Sequence, residues 1–177
     1  MKYLIILFIT VQNYFCLAQE IKELVDKKLK STFGSEVNIE FQKFELPSKL
    51  KNKIQYEAKQ QFYSDFVYLY KVYSKDEVKA YAILDNVIGK EQPITFVVIV
   101  DTTGTIISTE VIKYREPYGG SVQNKSWNDQ FIGINNKSKL IVGEDIDGIS
   151  GATISVNSVT KGIKKLLILF NLIKNDL

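Results

Sequence analysis

The spacing of hydrophobic positions changes along the chain, and each change marks an element. Over Glu20–Ser31, Ile21, Leu24, Val25 and Leu29 recur near one helical face with charges opposite, which predicts an amphipathic helix closed by Phe33-Gly34. Val37–Leu46 then alternates, with Val37, Ile39, Phe41 and Phe44 apolar, and predicts a strand ending at Pro47. Ser48 is placed to cap a second helix through Gln60 or Gln61, rich in Lys, Gln and Glu. From there the pattern turns to β. Phe66–Tyr73 is aromatic and β-branched, Lys75-Asp76 turns the chain, and Val78–Val87 reads as the hairpin partner. Gly89–Pro93 breaks that run. Ile94–Val100 is apolar throughout, as an interior strand should be. Asp101-Thr102-Thr103-Gly104 is a turn with Gly where positive φ is needed, and Thr105–Tyr114 alternates again.

Consecutive strands joined by short turns predict an antiparallel meander. After Tyr114 regular patterning stops for about forty residues, and loops of that length usually carry function. Within the loop, Asn124–Phe131 reads as one or two helical turns with Trp127 and Phe131 at i, i+4, and Leu140-Ile141-Val142 as a short strand. A final helix spans Ser155 to Lys174. Its residues Ile163, Leu166 to Phe170, Leu172 and Ile173 make it apolar nearly all round, as for a helix buried on the sheet or one with a membrane or partner contact on its outer side. The class is α+β, an antiparallel sheet with packed helices. No repeat or linker divides it.

The N-terminus stands apart from this scheme. Lys2 precedes the apolar stretch Tyr3–Val11, and Cys16-Leu17-Ala18 precedes the polar pair Gln19-Glu20. This is the layout of a secretory signal peptide, residues 1–18, cut after Ala18 and followed by one domain, residues 19–177. The nine apolar residues fall short of the ~20 that span a bilayer, and extension to Leu17 crosses Gln12 and Asn13. An uncleaved membrane anchor is the alternative. Export places the mature chain in the periplasm or at the cell surface.

Composition matters mainly for what it removes. The net charge of +3 becomes +2 without Lys2, too small and dispersed for a nucleic-acid partner. The sequence has no His, and its single Cys and single Met both lie in residues 1–18. The mature chain thus lacks the ligands for Cys- or His-bound zinc, iron–sulfur clusters, blue copper or c-type haem, and the residues for Ser-His-Asp or Cys-His catalysis. Redox work here would need an organic cofactor.

One segment carries candidate chemistry. In Asp147-Gly148-Ile149-Ser150-Gly151-Ala152-Thr153, small residues and hydroxyls lead into the last helix, with Ser155 just beyond. Gly151 and Ala152 would let backbone approach a ligand, and a helix N-terminus offers free N–H groups and a positive dipole end to phosphate. The same residues also suit an ordinary Ser/Thr-capped helix, and the local physics leaves both readings open.

The run Asp147…Ser150-Gly151-Ala152-Thr153…Ser155 resembles the flavinylation motif of FMN-binding domain proteins. That family includes the covalently flavinylated subunits of sodium-translocating NADH:quinone reductase and Rnf-type complexes, as well as stand-alone extracytoplasmic members. The likeness extends over roughly Ile94 to Leu169, through Tyr114-Arg115-Glu116 and Trp127…Gln130-Phe131…Gly133. Val156 departs from the Ser often found there, while the core of the motif is intact. The resemblance implies FMN joined through its phosphate to Thr153 by an FMN transferase that splits FAD, with Ser150, Gly151, Ala152, Asp147 and Ser155 as the surrounding motif. It implies an exported electron carrier between a membrane-associated donor and an unidentified acceptor, rather than a self-sufficient enzyme, with reductase activity as an alternative. It also places Glu116 near the flavin, where the residues alone equally suit a surface ion pair with Arg115. Trp127 and Phe131 could wall the ring or form satellite core under the long loop. Lys90, after Gly89, could reach phosphate or be a solvated turn lysine. Two rivals stand beside the covalent carrier: a non-redox exported binding domain in which Ser-Gly-Ala-Thr is only a helix cap, and a domain holding flavin reversibly.

Overall fold

The computed structural model describes the backbone of residues 2–177 and the side chains from Ala18 onward. Two compact units emerge, Met1–Val37 and Asn38–Leu177. The first is a single helix, α1 (Lys2–Phe33), which contains the predicted Glu20–Ser31 helix. The side chains of the n-region and h-region lie outside the described residues.

The second unit is the α+β domain that the pattern predicts. Its strands are β1 (Asn38–Glu45), β2 (Phe66–Ser74), β3 (Glu77–Ile88), β4 (Pro93–Asp101) and β5 (Ile106–Lys113). They pair in chain order β1-β2-β3-β4-β5, every neighbour antiparallel. Lys75 and Asp76 both take positive φ, 50° and 65°, as a two-residue hairpin turn requires. Gly104 sits at φ 98° in the β4–β5 turn, where the Asp101 carboxylate accepts from the Thr103, Gly104 and Thr105 amides. In β4, Ile94 to Val100 are all buried, which explains the absence of alternation in that run.

Helix α2 (Ser48–Ala58) stops two residues before the expected Gln60, because Lys59 turns left-handed at φ 50° and closes the helix on the Gln55 carbonyl. Helix α4 (Thr153–Ile173) packs on β3, β4 and α2. Val159, Ile163, Leu166, Leu167 and Phe170 enter one core with Ile83, Val87, Phe96, Val98 and Val100. Gly162 makes the closest approach: a Cβ there would lie 2.7 Å from Val87 and 2.8 Å from Phe96. Among the described residues no helix is long and apolar enough to cross a membrane.

The long connection covers the free edge of β5. The Ile106 N–H donates to the Ile134 carbonyl at 2.8 Å, the Gly133 N–H returns to Ile106 at 2.9 Å, and the Thr109 hydroxyl donates to the Asn128 carbonyl. A short helix α3 (Lys125–Asn128) and a 3-10 turn (Asp129–Phe131) supply the expected helical turns. The short strand expected at Leu140-Ile141-Val142 is absent. Leu140 takes φ 58°, the Asp145 carboxylate accepts the Ile141 N–H, and three amides from Glu144 to Ile146 converge on the Ile141 carbonyl. A tight turn thus consumes the backbone groups a strand would need, leaving one bridge between Val142 and Ile146.

Candidate functional site at the mouth of the last helix

Three segments enclose a cleft of about 450 Å³: the β3–β4 turn at Lys90-Glu91, the chain leaving β5 at Glu116–Gly119, and Gly151–Ser155. That volume lies within the range of about 300–1,000 Å³ usual for small-ligand sites. The three segments are far apart in sequence, and the sheet brings them to one end.

Helix α4 starts at Thr153, two residues earlier than the apolar periodicity predicts, and Ala152 occupies the N-cap position. No side chain caps the helix. The first intrahelical bond runs from the Val156 N–H to the Ala152 carbonyl, so the amides of Thr153, Ile154 and Ser155 precede it. The Thr153 side chain is exposed at the cleft. Neither Ser150 nor Thr153 therefore acts as the cap that their residue types suggest. What remains is a free hydroxyl beside uncapped amides at the positive end of a helix, an arrangement that receives phosphate.

The opposite wall is locked by Glu116. Its Oε1 accepts the Glu91 N–H at 2.6 Å and the Gln92 N–H at 2.9 Å. The Gln92 and Glu91 amides, with smaller help from Lys90, hold its carboxyl below the ordinary Glu range. Arg115, the ion-pair partner considered for Glu116, donates instead to the Pro93 carbonyl and the Thr95 hydroxyl, both at 3.0 Å. Lys90 is exposed on the cleft wall.

A second clasp joins the post-β5 chain to α4. The Tyr114 hydroxyl donates to the Tyr118 carbonyl and lies 2.9 Å from Ser155 Oγ. Gly119, at φ 81°, follows; a Cβ there would lie 2.8 Å from the Tyr114 hydroxyl oxygen and 3.2 Å from Ser155 Oγ, so only glycine fits.

The structure thus gathers Thr153, Gly151, Ala152, Ser155 and Glu116 at one cleft. Other residues of the expected site lie elsewhere. Ser150 and Asp147 are exposed and outside the lining. The backbone of Asp147 is held by the helical segment behind it: its N–H donates to Gln130 Oε1 at 2.8 Å, and its carbonyl accepts the Trp127 indole N–H at 2.9 Å. Trp127 and Phe131 are buried, edge to face at 5.2 Å, in the main core. They form no wall of the cleft, because the helical face they share packs into the core. Trp127 meets the motif through that bond to Asp147 and shares the core with Ala152. Sequence reasoning missed Tyr114 and Gly119; their only signals were the aromatic at the end of β5 and the Gly119-Gly120 pair.

The fold and site define a small α+β domain with a phosphate-receptive cleft at the N-terminus of its last helix. The sequence model of the FMN-binding domain family matches residues 89–168, a span that takes in all the cleft residues. The chain contains an FMN-binding domain over those residues, which supports flavin binding. No curated protein matches the chain.

Proposed function

We propose that this protein carries one FMN in phosphoester linkage to Thr153 and serves outside the cytoplasm as an electron carrier. The observation that carries the reading is the Thr153 hydroxyl. It is exposed on the first residue of α4, beside amides that no side chain caps, inside a cleft of ligand size. A bound FMN would supply reversible one- and two-electron chemistry. The residues of the chain do the rest. The first amides of α4 and the helix dipole neutralise the phosphate. Gly151, at φ 77° with nothing within 4 Å of a built Cβ, keeps the approach to Thr153 clear. Glu116 is engaged by turn amides, which fixes the β3–β4 turn as the opposite wall of the cleft.

Attachment would follow from FAD on an FMN transferase. Thr153 Oγ attacks the phosphorus of the FMN half, the phosphoanhydride bond breaks, adenosine monophosphate leaves, and the hydroxyl proton passes to a base of the transferase. A covalent tether suits an exported protein, which has no pool of loose FMN to draw on. The N-terminal segment supports export, and a membrane-associated donor with an extracytoplasmic acceptor completes the circuit.

Co-expression with an FMN transferase tests the linkage. The expected result is a band that fluoresces in a denaturing gel, with mass raised by one FMN less one water, and its loss in Thr153→Ala. A label that persists in Thr153→Ala would overturn the assignment. Flavin released on denaturation would support reversible binding instead.

A further inference from the structure

We infer that Tyr118 is the aromatic wall against which the isoalloxazine ring of the flavin lies, an inference that rests on the flavin reading of the cleft. The cleft needs such a surface, because a flat apolar heterocycle gains most by covering its face. Trp127 and Phe131 are shut into the core, 4% and 0% exposed. Among the described residues that line the cleft, Tyr118 is the one aromatic. Tyr56 and Tyr63, the other exposed tyrosines, lie outside it.

The backbone of Tyr118 is held while its side chain is exposed. Its carbonyl accepts the Tyr114 hydroxyl, which also meets Ser155 Oγ on the first turn of α4, and Gly119 locks the next residue. The backbone of Tyr118 is thereby tied to the helix that carries Thr153, yet 82% of the residue is open to solvent. Rigid backbone beneath an unpacked ring gives a ligand a stacking surface at little ordering cost. Ile154, 51% exposed on the same turn as Thr153, adds a second apolar surface at the cleft. A tyrosine serves better than phenylalanine here, since its hydroxyl stays in water while its face covers the ring. Tyr118 is therefore a positioning residue for the ring, while Thr153 holds the phosphate.

The test uses full-length chain co-expressed with the FMN transferase, as wild type, Tyr118→Ala and Tyr118→Phe. A phenol stacked on flavin quenches its emission by transient electron donation. Wild type should emit weakly with a short lifetime, and Tyr118→Ala should brighten severalfold and lose visible circular dichroism. Tyr118→Phe should brighten too, because phenylalanine is a poor donor, yet keep the dichroism, because the stacked geometry survives. All three should show equal covalent labelling on denaturing gels. Labelled Tyr118→Ala with the emission and dichroism of wild type would overturn the role of Tyr118 and leave the linkage to Thr153 standing. Wild-type protein free of flavin, covalent or reversible, would overturn both.

Discussion

Replacing Lys165 with methionine should destabilise this domain more than most single changes. Lys165 sits on the sheet-facing side of α4, fully buried, with Nζ 2.8 Å from Asp85 Oδ2 of β3. The ammonium also donates to the Gln61 carbonyl at 2.7 Å and lies 4.1 Å from the centre of the Phe62 ring. Burial dominates both partners: it pushes the Asp85 carboxyl up and the Lys165 ammonium down, against the attraction of each for the other. Methionine fills much of the same volume but leaves Asp85, 6% exposed, with no counter-charge. Removing one partner of a buried pair costs about 3–5 kcal/mol. At roughly 2–4 °C per kcal/mol for a domain of this size, Tm should fall by roughly 6–20 °C. The double variant Lys165→Met/Asp85→Leu should recover most of the loss, since the charge that suffered is gone. The pH dependence has a definite sign. With Lys165 gone, folded Asp85 keeps its proton to higher pH than the unfolded chain, so its stabilising contribution is present below the unfolded value near ~3.9 and lost as pH rises. The deficit of Lys165→Met should therefore be smallest in acid and grow toward neutrality. Urea unfolding and thermal scans across pH 4–8 measure it. A deficit under about 1 kcal/mol at pH 7, or a double variant as unstable as the single, would refute the reasoning.

Two further predictions concern the cleft. The Glu91 and Gln92 amide resonances should titrate together with the Glu116 carboxyl, at a midpoint below the ordinary Glu range, because those amides depress its pKa. A depressed folded pKa means that the hold on the β3–β4 turn is present above the unfolded value and lost as pH falls through the folded one. Glu116→Gln should abolish the titration, and a midpoint at or above the normal Glu value would contradict the geometry. Trp127→Phe should keep the core ring but lose the indole bond to the Asp147 carbonyl, costing about 1 kcal/mol and quickening hydrogen exchange around Asp147. Unchanged exchange there would show that the bond does not steady the motif.

The meander was legible because its signals are local. Turn residues at Lys75-Asp76 and Gly104 and the unbroken apolar run of β4 each determine their own stretch of backbone. Asp85 and Lys165 escaped notice for the opposite reason. Lys161, Lys164 and Lys165 look alike in sequence, and only Lys165 faces β3. The one hint was an Asp in the middle of an apolar strand. Trp127 and Phe131 show a similar limit: their spacing specifies a shared helical face, not which way that face turns. The clasp of Tyr114 on Ser155 joins residues 41 apart, a pairing no pattern announces.

At Thr153 the resemblance and the local physics point different ways. A helix opening with Ser-Gly-Ala-Thr invites a capping assignment, and a Ser or Thr at the N-cap stabilises by about 0.5–2 kcal/mol. In the structure that stabilisation is forgone. Ala152 stands at the cap position with φ −127° and ψ 18°, and Thr153 falls one residue later. The shift decides what the hydroxyl can do. At the cap it would accept a bond from its own helix and be turned inward. On the first helical residue it does not cap those amides, so both it and they stay available to the proposed phosphate. A stability-driven design would place the threonine one residue earlier. Its actual position leaves the hydroxyl and the first amides of the helix side by side, as the proposed phosphoester attachment would require.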